Sequence, residues 1–222
     1  MRVTEYLRNQ VAEDWMLATR HPFTAALADG MLEPDLMRGY LQQDYLFIDQ
    51  FVRLLATTIA HAPSLADSVP AAQFLGVITG PENTYFLRSF EALGIQADAE
   101  PAPETVNFQN LMEEARLSGR YEIMLSVLVV AEWVYLEWAT PFADRADDLP
   151  FWLGEWITLH TGEGFAGVVE YLRSQLDKAW VGLEEHEKAM VQEYFTEAVK
   201  RERAFFEGAW AGFPIASDKG TS

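Results

Sequence analysis

Apolar side chains recur at helical spacing along most of the chain, and prolines or glycines close the runs. The longest run covers residues 34–62, with Pro34 in its first turn and Pro63 after its end, so it predicts a long core helix. The run over residues 120–139 is apolar on almost every side, which is typical of a central helix. No period-2 run closed by a hairpin turn is found. The pattern predicts an all-α fold.

The remaining apolar runs predict further helices. They cover residues 4–18, 71–77, 82–93, 104–117, 151–176 and 183–210. Residues 64–70 are expected to form a loop, and Gly80 and Pro81 are expected to interrupt the helical pattern. We therefore predict a compact helical bundle of seven to nine helices, built from residues 1–215 as a single domain, with residues 216–222 as a flexible C-terminal tail.

Composition fits this picture and limits the partners. The 222 residues are 50% hydrophobic and 13% aromatic, which is enough for one sizeable core. Asp and Glu number 34 against 16 Lys and Arg, and the formal net charge of -18 argues against binding to nucleic acid or to an anionic membrane. The first ten residues lack the apolar segment of a secretory signal, and no uninterrupted apolar stretch reaches membrane-spanning length. A cytoplasmic protein is expected.

The chain contains no cysteine. Disulfides, zinc–thiolate sites and a thiol nucleophile are therefore impossible. Any acid–base or covalent chemistry has to come from other side chains.

Asp44 lies within an aromatic stripe of the predicted helix over residues 34–62. Tyr40, Phe47 and Phe51 fall on the same helical face at three- to seven-residue intervals from it. Burying a carboxylate is costly unless a partner satisfies it. Asp44 is therefore either paired structurally or reserved for a ligand.

Two acids interrupt the apolar helix over residues 120–139. Glu132 and Tyr135 are three residues apart and face the same side, whereas Glu137 lies about 140° around the helix from Glu132. The two acids are expected to serve different environments. For Glu137 we expect a buried ion pair or a contact between subunits.

His160 and Glu202 are weaker candidates. His160 precedes two closely spaced glycines, and a lone histidine is either a satisfied core residue or a catalyst. Glu202 shares a side of the last helix with Phe205 and Phe206, while most neighbouring charges fit a solvated face. Neither residue identifies a site by itself.

Taken together, the segments resemble the TenA (thiaminase II) family, whose fold is the haem-oxygenase-like helical bundle. The resemblance extends over nearly the whole chain and rests on five segments in the family's order and spacing: His21-Pro22-Phe23, residues 40–47, Leu117-Ser118-Gly119, Trp133-Val134-Tyr135 and residues 202–206. It implies hydrolysis of an aminopyrimidine fragment of thiamin, without a cofactor, by a homotetramer.

The resemblance implies roles for individual residues. Asp44 would hydrogen-bond the pyrimidine, and Phe47 would stack on its ring. Tyr135 would hold the other face, and His160 replaces a further tyrosine of the family's site. Glu202 would be the proton donor and acceptor.

This sequence departs from the family pattern at the nucleophile. Four residues before Tyr135, the position of the family's cysteine is occupied by Ala131, and a tyrosine that supports this cysteine is replaced near Asn107 and Phe108. The chain thus looks like the cysteine-free branch of the family, in which a glutamate takes over. Glu132 is the candidate, although one residue along a helix is a rotation of about 100°.

The implied substrates are 4-amino-5-aminomethyl-2-methylpyrimidine and its N-formyl derivative. Two alternatives remain open: a non-catalytic pyrimidine binder, and a carboxylate-bridged metallo-oxidase on the same bundle. A Glu-x-x-His pair would indicate the latter, but the residues three positions before the four histidines are Ala18, Thr58, Ile157 and Leu183. A haem oxygenase is disfavoured because Pro22 follows His21 in an acidic chain.

Overall fold

The computed structural model describes residues 1–215, in which the chain forms α-helices, one π-helical segment, one 3₁₀ segment and no strand. The α-helices are α1 (Val3–Gln10), α2 (Ala12–Thr19), α3 (Pro22–Ala28), α4 (Pro34–His61), α5 (Leu65–Val77), α6 (Asn83–Leu93), α7 (Pro103–Leu117), α8 (Tyr121–Ala139), α9 (Phe151–Leu159), α10 (Gly162–Trp180) and α11 (Glu185–Ala211). Eight of them have nine residues or more, and the predicted all-α class is confirmed. The tail predicted for residues 216–222 lies outside the described residues.

Helix α8 is the centre of the molecule, as its apolar sequence predicts. It packs mainly against α10 and α11 and also contacts α2, α4 and α7. The stretch Tyr121–Asp148 is long and apolar enough to cross a membrane, but 83% of its most apolar window is buried inside the protein. Its hydrophobicity is therefore accounted for by helix packing.

Helices α4 and α11 are the longest elements and flank α8. Pro34 occupies the first turn of α4, and the helix ends at His61 before Pro63, as predicted. Helix α4 packs against α5, α7, α8 and α11, so its aromatic face points into the interior. The three helices carry Asp44, Glu132 and Glu202, and their packing brings these carboxyls close together.

Two predicted helices are each divided in the structure. The run over residues 4–18 is interrupted at Val11, where φ is -120° and ψ is 29°, so that α1 and α2 are separate. The run over residues 151–176 is interrupted after Leu159, and Gly162 adopts a φ of 78° that glycine tolerates without strain. Apolar periodicity continues across both breaks because both halves bury a face in the same core.

The loop predicted for residues 64–70 is wrong, because α5 begins at Leu65. Ser64 caps the helix by accepting a hydrogen bond from the backbone N–H of Asp67, 3.2 Å away. Pro70 lies inside the helix near its exposed first turn. The carbonyl of Ala66, which loses its partner N–H, is in an exposed residue that water reaches.

The break expected at Gly80 and Pro81 is also absent. Residues Ile78–Glu82 form a π-helical segment that joins α5 to α6 without a loop. The wider π turn carries the chain past Pro81, which has no N–H to continue an α-helical ladder. It also turns Glu82 inward, where it is buried.

Candidate active site

A small cavity lies between α4, the π-helical segment, α8 and α9. Five of the predicted site residues line it: Asp44, Phe47, Glu132, Tyr135 and His160. Apolar side chains, among them Phe51, Phe74 and Trp156, complete the wall. The structure therefore brings together residues that are more than 100 positions apart in the sequence.

Asp44 is buried in the aromatic face of α4, with 3% of its surface exposed. Its Oδ2 atom has no hydrogen-bond partner among residues 1–215. Burial raises the pKa of this carboxyl well above its usual range, and the charge of Glu82 raises it further. Asp44 therefore has no structural ion pair within that range.

Glu202 approaches the same group of carboxyls from α11. It is 1% exposed, and its Oε1 atom has no partner in the described part of the chain. Burial raises its pKa well above the usual range, with further contributions from Asp44 and Glu132. Glu202 does not line the cavity itself, but it lies close enough to interact electrostatically with Asp44 and Glu132, which do.

Glu132 and Ala131 both line the cavity, although they are adjacent on α8. Burial raises the pKa of the Glu132 carboxyl well above its usual range, and the charges of Glu82 and Asp44 add to this. The rotation of about 100° between neighbouring residues does not separate them, because the cavity wall is wide enough to include both. The glutamate thus lies beside the position of the missing cysteine.

Glu82 is the fourth carboxyl of this group and lines the cavity, although the sequence pattern did not single it out. It is 7% exposed, and burial raises its pKa to about 8. The sequence carried one signal, since Glu82 precedes Tyr85 and Phe86 by three and four residues and shares their helical side. The expected break at Gly80 and Pro81 concealed this periodicity.

The four carboxyls have no counter-charge in the cavity. No Lys or Arg from the described range lines it, and burial lowers the pKa of His160 to about 4, so this ring is neutral at pH 7. Carboxyls that share an apolar cavity cannot all ionise, because each charge raises the pKa of the others. The cavity therefore holds protons at neutral pH that it can donate.

Tyr135 belongs to a chain of three hydrogen-bonding groups. The indole Nε1–H of Trp156 donates to the hydroxyl of Tyr40, 3.2 Å away, and the hydroxyls of Tyr40 and Tyr135 are 2.8 Å apart. An indole N–H can only donate, so the Tyr40 oxygen accepts from it. The Tyr40 hydroxyl then donates its own proton to the hydroxyl oxygen of Tyr135. The hydroxyl proton of Tyr135 is therefore free to point towards the cavity.

His160 ends α9 and presents one ring nitrogen to the cavity. Its Nδ1 atom is 2.8 Å from the backbone carbonyl of Trp156, which can only accept, so Nδ1 carries the proton. In the neutral ring Nε2 is therefore an acceptor. The ring also packs against Tyr135, with the centroids 4.7 Å apart.

Phe47 supplies an aromatic face. Its ring lies 4.9 Å from that of Phe108 in an edge-to-face contact and 5.8 Å from that of Phe51. Phe108 occupies the region where the resemblance led us to expect a replaced tyrosine. It packs behind Phe47 and does not line the cavity.

Glu137 lies elsewhere, as the helical rotation predicts. Its carboxylate accepts from Arg8 Nη2 at 2.7 Å and from Trp15 Nε1 at 3.1 Å. The expected ion pair is present, but about a third of each of its two charged side chains is exposed, so it is not a buried one.

From Met1 to Ile215, no group of three or more His, Cys, Asp or Glu side chains has an arrangement that could hold a metal ion. The potential ligands that line the cavity are one neutral histidine and three carboxyls on three different elements. This part of the chain offers no ligand set for the metallo-oxidase alternative.

Comparison with known proteins identifies the family of the chain and agrees with its fold. The profile of the TENA/THI-4/PQQC family matches residues 8–212. The aminopyrimidine aminohydrolase of Halalkalibacterium halodurans is 26% identical over 202 residues, which cover 88% of this chain and 90% of that protein.

Solved structures share the fold. A TenA homologue from Pyrococcus furiosus superimposes with a TM-score of 0.83 at 22% identity, over 93% of this chain and 98% of that one. A domain from Shewanella denitrificans with a heme oxygenase-like fold gives a TM-score of 0.66 at 16% identity, over 95% and 93% of the two chains. The expected haem-oxygenase-like bundle is confirmed.

Proposed function

The chain belongs to the TENA/THI-4/PQQC family, and on this basis we propose that it is an aminopyrimidine aminohydrolase of thiamin salvage. Its proposed substrates are 4-amino-5-aminomethyl-2-methylpyrimidine and the N-formyl derivative, with the hydroxymethylpyrimidine as product. The observation that carries the proposal is that Asp44 and Glu132 line a cavity without a cation, with the buried carboxyl of Glu202 beside them. Such a set of carboxyls can supply both the acid and the base of a hydrolysis without a cofactor.

The substrate ring fits the polar groups of the cavity. A protonated Asp44 donates to a ring nitrogen and accepts from the neighbouring 4-amino group, so a neutral carboxyl is satisfied at both oxygens. Phe47 covers one face of the ring and Tyr135 the other. The unprotonated Nε2 of His160 is available to accept from a substrate N–H.

The reaction needs one proton donor and one proton acceptor. Water forms a bond to the exocyclic methylene carbon as the bond from that carbon to nitrogen breaks, which gives the alcohol and ammonia. Glu202 gives its proton to the departing nitrogen, and a carboxylate takes a proton from the attacking water. Glu202 is held protonated by burial and by the nearby carboxyls of Asp44 and Glu132.

Glu132 and Glu82 are the two candidates for the base, and Glu132 is also the candidate covalent substitute for the cysteine. We assign the base to Glu82. Burial raises the pKa of Glu82 to about 8, so part of this group is ionised near neutral pH and can take a proton from water. Burial raises the pKa of Glu132 well above its usual range, and a charge on either carboxyl raises the pKa of the other.

Intact thiamin is expected to be a poor substrate. Displacement of its thiazolium group is served by a thiolate, and Ala131 offers no nucleophile at that position of the wall. This choice between substrates separates the proposed hydrolase from a cysteine-dependent thiaminase.

We also propose a homotetramer in the cytoplasm that acts on a free small molecule and binds neither nucleic acid nor membrane. The net charge of -18 supports the absence of anionic partners, and the family resemblance supports the tetramer. Light scattering of the purified protein measures its mass, and a dimer or monomer would contradict this part of the proposal.

The test is release of ammonia from the aminomethyl compound by the purified protein. With the formyl derivative, water first cleaves the amide bond at the formyl carbon, so formate is released before ammonia. We expect turnover of at least one of the two pyrimidines and little cleavage of thiamin. If a correctly folded protein releases neither product while the pyrimidine still raises its melting temperature, the chain is a pyrimidine binder and the proposal is wrong.

A further inference from the structure

A second cavity lies on the other side of α8, between the α2–α3 turn and the start of the 3₁₀ segment. Its volume is about 320 Å³, and its lining includes Arg20, His21, Trp138 and Phe142. We call it the outer cavity. The rings of Trp138 and Tyr135 contact each other edge-to-face with centroids 6.0 Å apart, so aromatic side chains separate it from the carboxyl cavity.

Arg20 is an unusual cation in this chain. Each of the other fourteen Lys and Arg side chains in residues 1–215 lies within 4.0 Å of a carboxylate, and Arg20 alone does not. Acids outnumber bases two to one in the whole sequence, so a partner would be easy to supply. Arg20 is an exposed residue, so water solvates its guanidinium, which is free to pair with an anion that enters the cavity.

Glu137, the acid that lines the outer cavity, does not pair with Arg20. Glu137 accepts from Arg8 through Oε1 and from Trp15 through Oε2, so both of its oxygens are occupied. The cavity thus contains a carboxylate that is already neutralised and a guanidinium that is not.

Trp138 adds a buried donor without a partner. The side chain is 1% exposed, and its Nε1–H makes no hydrogen bond within the part of the chain that the structure describes. An indole N–H can only donate, and a buried donor without an acceptor costs free energy. Its natural complement is a group that accepts hydrogen bonds.

His21 supplies a second donor. Its Nδ1 atom accepts from the backbone N–H of Phe23, 3.1 Å away, so the proton of the neutral ring is on Nε2. Burial lowers the pKa of this ring, which keeps it neutral near pH 7. Nε2–H makes no hydrogen bond to any residue from 1 to 215.

We propose that the outer cavity binds a small organic oxyanion, a carboxylate or a phosphate monoester, held by Arg20 with Trp138 and His21 as further donors. Guanidinium groups bind both oxyanions through paired N–H donors. The rings of Trp138 and Phe142 offer an apolar surface for the body of the ligand. This site is separate from the proposed hydrolysis and does not depend on it.

Calorimetric titration of the full chain with phenyl phosphate, benzoate and inorganic phosphate tests the site and distinguishes the two oxyanions. We expect phenyl phosphate or benzoate to bind more tightly than inorganic phosphate. Arg20→Gln should weaken that binding about 10- to 100-fold, and Trp138→Phe, which keeps an aromatic ring but removes the N–H, about 5- to 10-fold. Arg53→Gln, an equal change of charge on the exposed side of α4, should leave it unchanged.

Three results would overturn the proposal. The first is that none of the three compounds binds. The second is that Arg53→Gln weakens binding as much as Arg20→Gln, which would indicate a general effect of charge. The third is that Arg20→Gln lowers the oligomeric mass in light scattering, which would assign Arg20 to a contact with a second copy. Ammonia release should be unchanged in Arg20→Gln, so failure of this site is distinct from failure of the hydrolase.

Discussion

The two cavities lie on opposite sides of the contact between Tyr135 and Trp138, and their unpaired groups are opposite in kind. The carboxyl cavity holds acids without a cation, and atoms of Asp44 and Glu202 lack partners within residues 1–215. In the outer cavity Arg20 has no carboxylate partner within residues 1–215, since Glu137 is paired with Arg8, and the N–H of Trp138 lacks a partner in the same range.

This difference shows how a cavity can indicate the chemistry of its ligand. A buried polar group without a partner costs free energy, so folding alone does not favour it. The carboxyl cavity complements a ring with amino groups and a basic leaving nitrogen, whereas the outer cavity complements an oxyanion. Both assignments can be tested by removing one unpaired group at a time.

The largest effect on catalysis is expected from substitution of Glu202, the proposed acid. Glu202→Gln keeps the size of the side chain but removes the proton donor, so kcat for ammonia release should fall about 10²- to 10⁴-fold. The melting temperature should not fall, because a neutral amide replaces an unpaired buried carboxyl. Arg20→Gln is the matched variant in the outer cavity, and its rate should equal that of the wild type.

If Glu202→Gln keeps its activity, Glu202 is not the acid of the mechanism, and catalysis no longer distinguishes the carboxyl cavity from the outer cavity.

The next effect concerns the two candidate bases. Glu82→Gln should lower kcat about 10²- to 10³-fold, and Glu132→Gln should lower it less. In the wild type kcat/KM should rise with pH as Glu82 ionises near pH 8, because the base must be deprotonated, and Glu82→Gln should lose this ascending limb. The measurement is a pH–rate profile for all three proteins.

The opposite order, with the ascending limb lost only in Glu132→Gln, would show that the residue beside the missing cysteine is the base.

Stability should depend on pH because of the same carboxyl. The pKa of Glu82 is about 8 when folded and near 4.5 in the unfolded chain, so between these values the folded state holds a proton that the unfolded state has released. The stabilisation is complete below about pH 4.5 and is lost as the pH rises through about 8, at about 1.4 kcal/mol per pH unit. Urea unfolding at a series of pH values measures this slope.

Glu82→Gln should reduce the slope, since the side chain no longer titrates. Glu91→Gln, at an exposed position of α6, is the matched control and should leave it unchanged. Equal slopes in the wild type and Glu82→Gln would mean that Glu82 is not buried in solution.

The smallest effect on the rate is expected from the hydroxyl of Tyr40, which contacts Tyr135 in the wall between the cavities. Tyr40→Phe removes the hydroxyl that joins Trp156 to Tyr135 and leaves the buried indole N–H unpaired, which should cost about 1–3 kcal/mol of unfolding free energy. The rate should fall less than in Glu202→Gln, because Tyr135 keeps its own hydroxyl. A rate as low as that of Glu202→Gln would make this hydroxyl chain part of proton transfer.

The sequence was sufficient for the helices that end at strong local signals. Pro34 and Pro63 bound α4, and the apolar run over residues 120–139 identifies the central helix. It also located Asp44 and Glu132 as acids on apolar faces, and the absence of cysteine excluded a thiol mechanism. These properties are local, since each depends on residue identity and helical spacing within one segment.

Only the tertiary structure brought Glu82 into the site and revealed the outer cavity. The π turn before α6 buries Ile78 and Glu82 in the core, whereas the sequence near Pro81 suggested a break. Arg20 and Trp138 are more than 100 residues apart, and no periodicity relates them. Which groups meet in a cavity, and which remain unpaired there, depends on how helices distant in the sequence pack, because a contact between them is a property of both surfaces and of neither sequence alone.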